Sequence, residues 1–126
     1  MNLRTLFCCV ALLPCSAFAD KGGFTFNIAD SQTVFPPSCV KSVEFQPRDE
    51  IESENLFIAF TDTCRDRLTQ LSRQNIGKTA NISYKGNVFA SPLIVSVLGS
   101  QFRISAKEMP RVILMQILND YAVTTH

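Results

Sequence analysis

The sequence predicts a small α+β domain with a largely antiparallel sheet and two helices packed on one face, in the order β-β-β-α-β-β-β-α. Three observations predict this class. Several short segments alternate apolar with polar residues, which is typical of half-buried strands. Cys64, Leu68 and Leu71 follow the spacing of one helix face, and a second helical pattern runs over residues 109–121.

The first 19 residues have the pattern of a cleaved secretory signal. Arg4 gives a basic start, Thr5 to Ser16 form an apolar run, and Ala17-Phe18-Ala19 is a small-x-small cleavage pattern. Removal of this segment leaves one domain, residues 20–126. No later stretch reaches the ~20 apolar residues of a spanning helix, so we expect an exported domain without membrane insertion.

Cys39 and Cys64 are the cysteines that remain after the signal is removed, because the other three lie within residues 1–19. An even pair in an exported domain predicts a disulfide, which would stabilise the fold by about 3 kcal/mol. The alternative is a pair of free buried thiols. Two cysteines and the terminal His126 do not make a zinc site, and we expect no metal or other cofactor.

The strands before the first helix follow from short apolar patterns. Phe24, Phe26 and Ile28 alternate with polar residues and predict the first strand. Residues 31–38 contain two adjacent prolines and predict a loop, after which a strand is expected around Val43 and Phe45. The continuous apolar run 56–60 predicts a central strand covered on both faces.

The first helix is expected to start at residues 61–63 and to end at Gly77, which suits a left-handed C-cap. Residues 79–84 then alternate without a break, and Lys85-Gly86-Asn87 predicts a tight turn to a return strand. That strand is expected to run over 88–98, with an interruption at Ser91-Pro92 that is typical of an edge or a bulge.

A last strand at 102–104 leads into the second predicted helix. Ser105 to Glu108 has the pattern of a capping box, so we expect the helix to begin there. Pro110 should weaken its first turn. The predicted inward face consists of Met109, Val112, Ile113, Ile117 and Tyr121.

One part of the chain resembles a known family. The strand and turn Leu56 to Asp62, the sequence Asn75-Ile76-Gly77-Lys78 and the segment Gly86 to Pro92 resemble, in this order, the head of the first periplasmic domain of the SecD export subunit. The resemblance covers roughly Leu56 to Leu118. It implies a SecD-head-like fold and a bacterial periplasmic location. Proton-driven export does not carry over, because that activity uses transmembrane helices and a base subdomain that this sequence lacks.

The sequence predicts a binding protein and not an enzyme. No nucleophile stands in a pattern with a base, and His126 at the end of the chain is poorly placed for acid–base catalysis. Twelve basic residues, of which Arg4 leaves with the signal, face 11 acidic ones. No basic excess therefore remains for binding nucleic acid.

Two functional hypotheses follow. The first is an immunity or inhibitor protein that blocks the active site of a secreted cell-wall-targeting toxin, such as a type VI secretion effector. The proposed contacts are the acidic loop residues Asp49, Glu50, Glu52 and Glu54, suited to a basic cleft, and Phe35 in the proline-containing loop. Alternatively, the acidic residues form a solvated loop.

The second hypothesis is an accessory or chaperone protein in export across the inner membrane. It would bind extended chains by strand addition at a sheet edge near Ser91-Pro92. An inhibitor binds one folded partner at a fixed ratio, whereas a chaperone binds many unfolded chains weakly.

Overall fold

The α+β class predicted from the sequence is confirmed by a computed structural model, which describes residues 21–47 and 54–121. The predicted signal peptide lies outside the described residues. The strands are β1 (Phe24–Ile28), β2 (Ser31–Phe35), β3 (Val40–Gln46), β4 (Asn55–Phe60), β5 (Ala80–Tyr84), β6 (Asn87–Ala90) and β7 (Gln101–Ser105). The helices are α1 (Asp62–Gln74) and α2 (Arg111–Asp120), and a short 3-10 turn spans Pro37–Cys39.

The strands divide between two sheets. One has four strands in the order β2-β1-β5-β6, the other has three in the order β3-β4-β7, and all neighbours are antiparallel. The chain passes from the first sheet to the second at Pro36-Pro37. Because proline has no amide hydrogen, the β1–β2 ladder cannot continue through these residues, and β3 starts a new sheet.

Strand β2 was not expected, since residues 31–38 were predicted to be a loop. It pairs with β1 from Ser31 opposite Ile28 to Phe35 opposite Phe24. The turn between them places Ala29 in the left-handed region, with φ of 53°. Glycine and asparagine usually occupy such positions, so Ala29 does not indicate a tight turn, although Asp30 beside it is a common turn residue.

Four phenylalanine rings join the two sheets. Phe26 and Phe35 belong to the four-stranded sheet, and Phe60 and Phe102 to the three-stranded one. The ring centroids are 5.3 Å apart for Phe26–Phe35, 4.8 Å for Phe35–Phe60, 5.5 Å for Phe60–Phe102 and 5.8 Å for Phe26–Phe102. The contacts therefore form a closed cycle, called here the phenylalanine ring cluster, and all four side chains are buried.

The expectation that Phe35 lies in a loop was wrong, and the buried position of its side chain gives no support to its proposed role as a partner contact. Its side chain is 0% exposed, because β2 pairs with β1 and turns the ring toward Phe26 and Phe60. The guanidinium of Arg67 lies 4.9 Å from the ring centroid. Phe35 is a core residue.

The predicted disulfide is confirmed. Cys39, at the end of the 3-10 turn, is bonded to Cys64 in the first turn of α1. The backbone N–H of Thr61 also donates to the carbonyl of Cys39, at 2.8 Å. The bridge therefore fixes the start of α1 against the chain that crosses between the sheets.

The two helices agree with the sequence to different degrees. In α1, Cys64 and Leu68 are buried as expected, and Gly77 beyond its end has the predicted left-handed backbone, with φ of +88°. In contrast, α2 begins at Arg111 with Pro110 as its N-cap, and the capping box at Ser105 does not form because this residue ends β7. Proline disfavours a helical residue before it, so the helix starts after Pro110.

The inward face of α2 also differs in part from the prediction. Leu114, Ile117 and Leu118 are buried, whereas Val112 is 82% exposed. Met109, the first residue of the predicted face, is buried but lies before the first residue of α2. Helix α1 contacts β4, and α2 contacts β3 and β6.

We expect Phe35→Ala to lower the free energy of unfolding by about 3–5 kcal/mol, because it leaves a cavity in the phenylalanine ring cluster. Urea unfolding followed by circular dichroism measures this loss. Val34→Ala, at the exposed neighbouring position, is the control and should change stability by less than about 1 kcal/mol. Equal losses for the two variants would contradict the core role.

We expect removal of the disulfide by Cys39→Ser with Cys64→Ser to cost about 3 kcal/mol of stability. The same unfolding measurement applies, with and without a thiol reductant. Reductant should destabilise the wild type and leave the double variant unchanged. A double variant as stable as the oxidised wild type would contradict the prediction.

Candidate functional site

An apolar groove of about 520 Å³ lies between β6 and β7. These strands are edges of different sheets: among the described residues, β6 pairs with β5 alone and β7 with β4 alone. Edge strands carry backbone N–H and C=O groups that no neighbouring strand satisfies. The groove is lined by Val88, Phe89, Ala90, Ser91, Pro92, Ile104, Ser105, Glu108, Met109 and Pro110.

The β6 wall of the groove is shaped by a tight turn and a bulge. Lys85 and Gly86 both have positive φ, as the predicted turn requires. The pairing with β5 then shifts between Val88 and Ala90, and Phe89 is the extra residue. Phe89 is buried against Phe24, with ring centroids 5.9 Å apart, while Val88 remains 52% exposed at the groove.

Strand β6 ends at Ala90, just before Ser91-Pro92, so the expectation of a return strand that resumes through Leu93 to Leu98 was wrong. A single bridge joins Leu93 to Thr79. The segment is held instead by irregular backbone bonds, including Ala80 N–H to the Pro92 carbonyl at 2.9 Å and Ile94 N–H to the Lys78 carbonyl at 2.9 Å. The interruption predicted at Ser91-Pro92 thus ends the regular ladder.

An exposed apolar row continues from the groove. Leu93, Val95 and Val97 are exposed, with Val95 at 73%, while Ile94 between them is buried. Residues 93–95 therefore alternate as in an extended chain, and the alternation stops at Ser96, which is also exposed.

The opposite wall consists of Ile104 and Ser105 of β7 and the turn that leads to α2. Ala106 N–H donates to the Glu54 carbonyl at 2.9 Å, and the Glu54 carboxylate pairs with Arg111. Glu54 therefore anchors this turn and α2. The other acidic residues proposed as partner contacts, Asp49, Glu50 and Glu52, lie outside the described residues.

A polar cluster lies where the chain enters β1 and leaves α2. The Gly22 N–H donates to the Tyr84 hydroxyl at 2.9 Å, which donates to Asp120 at 2.6 Å. The Tyr121 hydroxyl donates to the Gly22 carbonyl at 2.6 Å, and Lys85 lies 2.9 Å from the Asp120 carboxylate. We call these residues the Gly22 clasp.

The clasp keeps fixed protonation states near neutral pH. Burial and the hydrogen bond to Asp120 raise the pKa of Tyr84 well above its usual range, and burial raises the pKa of Tyr121 to about 12. Burial works against the charge of Asp120, but hydrogen bonds from Tyr84 and Lys85 outweigh it and lower the pKa of this carboxyl. The tyrosines are therefore neutral and Asp120 is charged near neutral pH, and their hydrogen bonds join Gly22, β5 and the end of α2.

Within residues 21–47 and 54–121, no three His, Cys, Asp or Glu side chains form a group that could hold a metal ion. None of the helices described there is long and apolar enough to cross a membrane.

The fold is similar to one in a protein-export component. A solved structure of SecDF, a membrane component that enhances protein export, has a TM-score of 0.53 and 21% sequence identity to this chain. The match covers 72% of this chain and 43% of the SecDF chain. No protein-family model and no curated protein matches the sequence. The predicted resemblance to SecD is therefore confirmed at the level of the fold.

We expect Tyr84→Phe to lower the free energy of unfolding by about 1–3 kcal/mol at pH 7, since it removes two hydrogen bonds of the Gly22 clasp, one to a charged group. Thermal and urea unfolding measure the loss. Ser83→Ala, at the neighbouring position on the same strand, is the control. Wild-type stability in the Tyr84→Phe variant would contradict the structural role.

The effect of Asp120→Asn should depend on pH. Because the folded-state pKa of Asp120 is lowered, its stabilising contribution is fully present above the unfolded value of about 3.9 and is lost as the pH falls through the folded value. Wild type should therefore be more stable than Asp120→Asn at pH 7, and the difference should shrink as the pH falls below about 3.9. A difference independent of pH would contradict this account.

Proposed function

We propose that this protein is a non-enzymatic periplasmic accessory protein of protein export, which holds extended polypeptides in the groove between β6 and β7. The observation that carries the proposal is the position of this groove between edge strands of two different sheets. An extended chain lying beside β6 would accept and donate main-chain hydrogen bonds by strand addition. Its apolar side chains would contact the groove lining.

The length of β6 suits weak binding. The strand has four residues and contains a bulge, and Pro92 follows two positions after its end. Few main-chain hydrogen bonds can form along it, each worth about 1 kcal/mol net. Main-chain contacts do not depend on the bound sequence, so a short edge favours transient binding of many different chains.

Two further observations support an export role. The fold is similar to part of SecDF, and that protein enhances export. The Cys39–Cys64 disulfide suits an oxidising compartment such as the periplasm. The proposed signal peptide would deliver the chain there.

The toxin-inhibitor hypothesis receives no support from the described residues. Glu54, the described member of the acidic loop, is paired with Arg111. Phe35, its proposed apolar contact, is buried.

We expect the mature domain to bind a reduced, carboxymethylated polypeptide and not the same protein in its folded state. Fluorescence anisotropy with a labelled polypeptide measures the affinity. Val88→Glu places a charge on the β6 wall and should weaken binding about tenfold or more. One folded partner bound at a fixed ratio, with no affinity for unfolded chains, would overturn the proposal.

Val34→Glu is the matched control. Val34 is 50% exposed and lies on β2, the opposite edge of the same sheet, so both variants add the same charge at equally exposed strand positions. Binding should survive Val34→Glu. Equal weakening by the two variants would show that charge and not the groove controls binding.

A further inference from the structure

A cavity of about 150 Å³ lies between the two sheets. Phe26, Ala80 and Ile82 of the four-stranded sheet line it on one side, and Phe102 and Ile104 of the three-stranded sheet on the other. The side chains of these five residues are all buried and apolar. The rest of the lining includes the exposed residues Leu93, Val95 and Arg103, so the cavity borders the core on one side and opens to the surface on the other.

The cavity adjoins the groove. Pro92 and Ile104 line both spaces. The segment from Leu93 to Leu98 completes the cavity wall and belongs to no regular strand. Outside the Leu93–Thr79 bridge, its contacts include Gly77 N–H to the Ile94 carbonyl at 2.7 Å and Leu98 N–H to the Ser72 hydroxyl at 2.8 Å. This wall is bound less regularly than the strands around it.

We propose that this cavity is a socket for one apolar side chain, of the size of leucine or phenylalanine, from a polypeptide held in the groove. The inference rests on the proposed function and names the feature of the bound chain that the groove would select. Enclosed apolar cavities of about this volume, lined by leucine, isoleucine and phenylalanine side chains, bind benzene. This cavity has a similar apolar inner wall and is open beside Leu93 and Val95, where a side chain can enter. An unfilled apolar void lacks dispersion contacts that a suitable side chain would supply.

The geometry of strand addition directs side chains toward the cavity. Successive side chains of a strand point to opposite faces of its sheet. Phe26, Ala80 and Ile82 show that the inner face of the four-stranded sheet borders the cavity. A chain added at the β6 edge would therefore present every second side chain on the inner face. One of these side chains would enter the cavity beside the segment Leu93 to Leu98.

Benzene is the first probe, because it tests the cavity without a peptide. In NMR spectra of the intact mature domain with methyl labels, benzene should shift the signals of Ile82, Ile94 and Ile104. Ala80→Val narrows the cavity and should weaken benzene binding about tenfold. Ala106→Val is the control, at an alanine that is equally buried but does not line the cavity. Absence of benzene binding to the wild type would overturn the socket.

Ile82→Val provides a second variant if Ala80→Val fails to fold. This substitution enlarges the cavity by one methyl group. The affinity of the cavity for toluene relative to benzene should therefore rise. The same preference in Ile82→Val and wild type would overturn the assignment of the cavity.

Competition then tests whether a peptide uses the cavity. An unstructured peptide with one leucine in a serine and threonine background should bind about tenfold more tightly than its serine variant, and benzene should displace it. If the two peptides bind equally and benzene does not compete, the socket is wrong and the groove function stands. If neither peptide nor unfolded polypeptide binds while benzene does, the proposed function itself fails.

Discussion

The phenylalanine ring cluster is the contact on which the two-sheet architecture depends. Each sheet has one apolar face, and the cycle through Phe26, Phe35, Phe60 and Phe102 places these faces against each other. Aromatic side chains bury large areas and prefer the tilted and edge-on contacts seen here. Because each ring contacts one ring of its own sheet and one of the other, the cluster sets both the spacing of the sheets and their relative position.

The two sides of this sandwich differ. On one side, β2 continues into β3 through the short turn Pro37–Cys39, and the disulfide to Cys64 fixes this connection. On the other side, β6 and β7 are separated by the groove. A covalent and continuous connection on one side allows the other to remain open without loss of the shared core. The asymmetry follows from the order of the strands and not from any one residue in the groove.

Local patterns in the sequence were sufficient for elements whose chemistry is local. The alternation of residues 79–84, the Lys85-Gly86 turn and the buried run of β4 were all predicted correctly. Elements whose structure depends on residues distant in the sequence were not predicted correctly. β2 is mostly polar and is a strand because β1 pairs with it, while Leu93 to Leu98 has the composition of a strand but lies over the cavity. Likewise, Ser91-Pro92 identified one wall of the groove, whereas Met109 and Pro110 on the other wall were assigned to a helix.

The hydrogen bond between Tyr121 and Gly22 brings together the backbone that enters the first strand and the backbone that leaves the last helix. Domains with adjacent ends tolerate insertion into longer chains and circular permutation. The groove wall at Met109 and Pro110 lies at the other end of α2, about 15 Å away along its ten residues. Polypeptide joined at both ends of this fold would therefore emerge at a single point, one helix length from this wall of the groove. The domain is thus suited to insertion, as a unit, into proteins of different length.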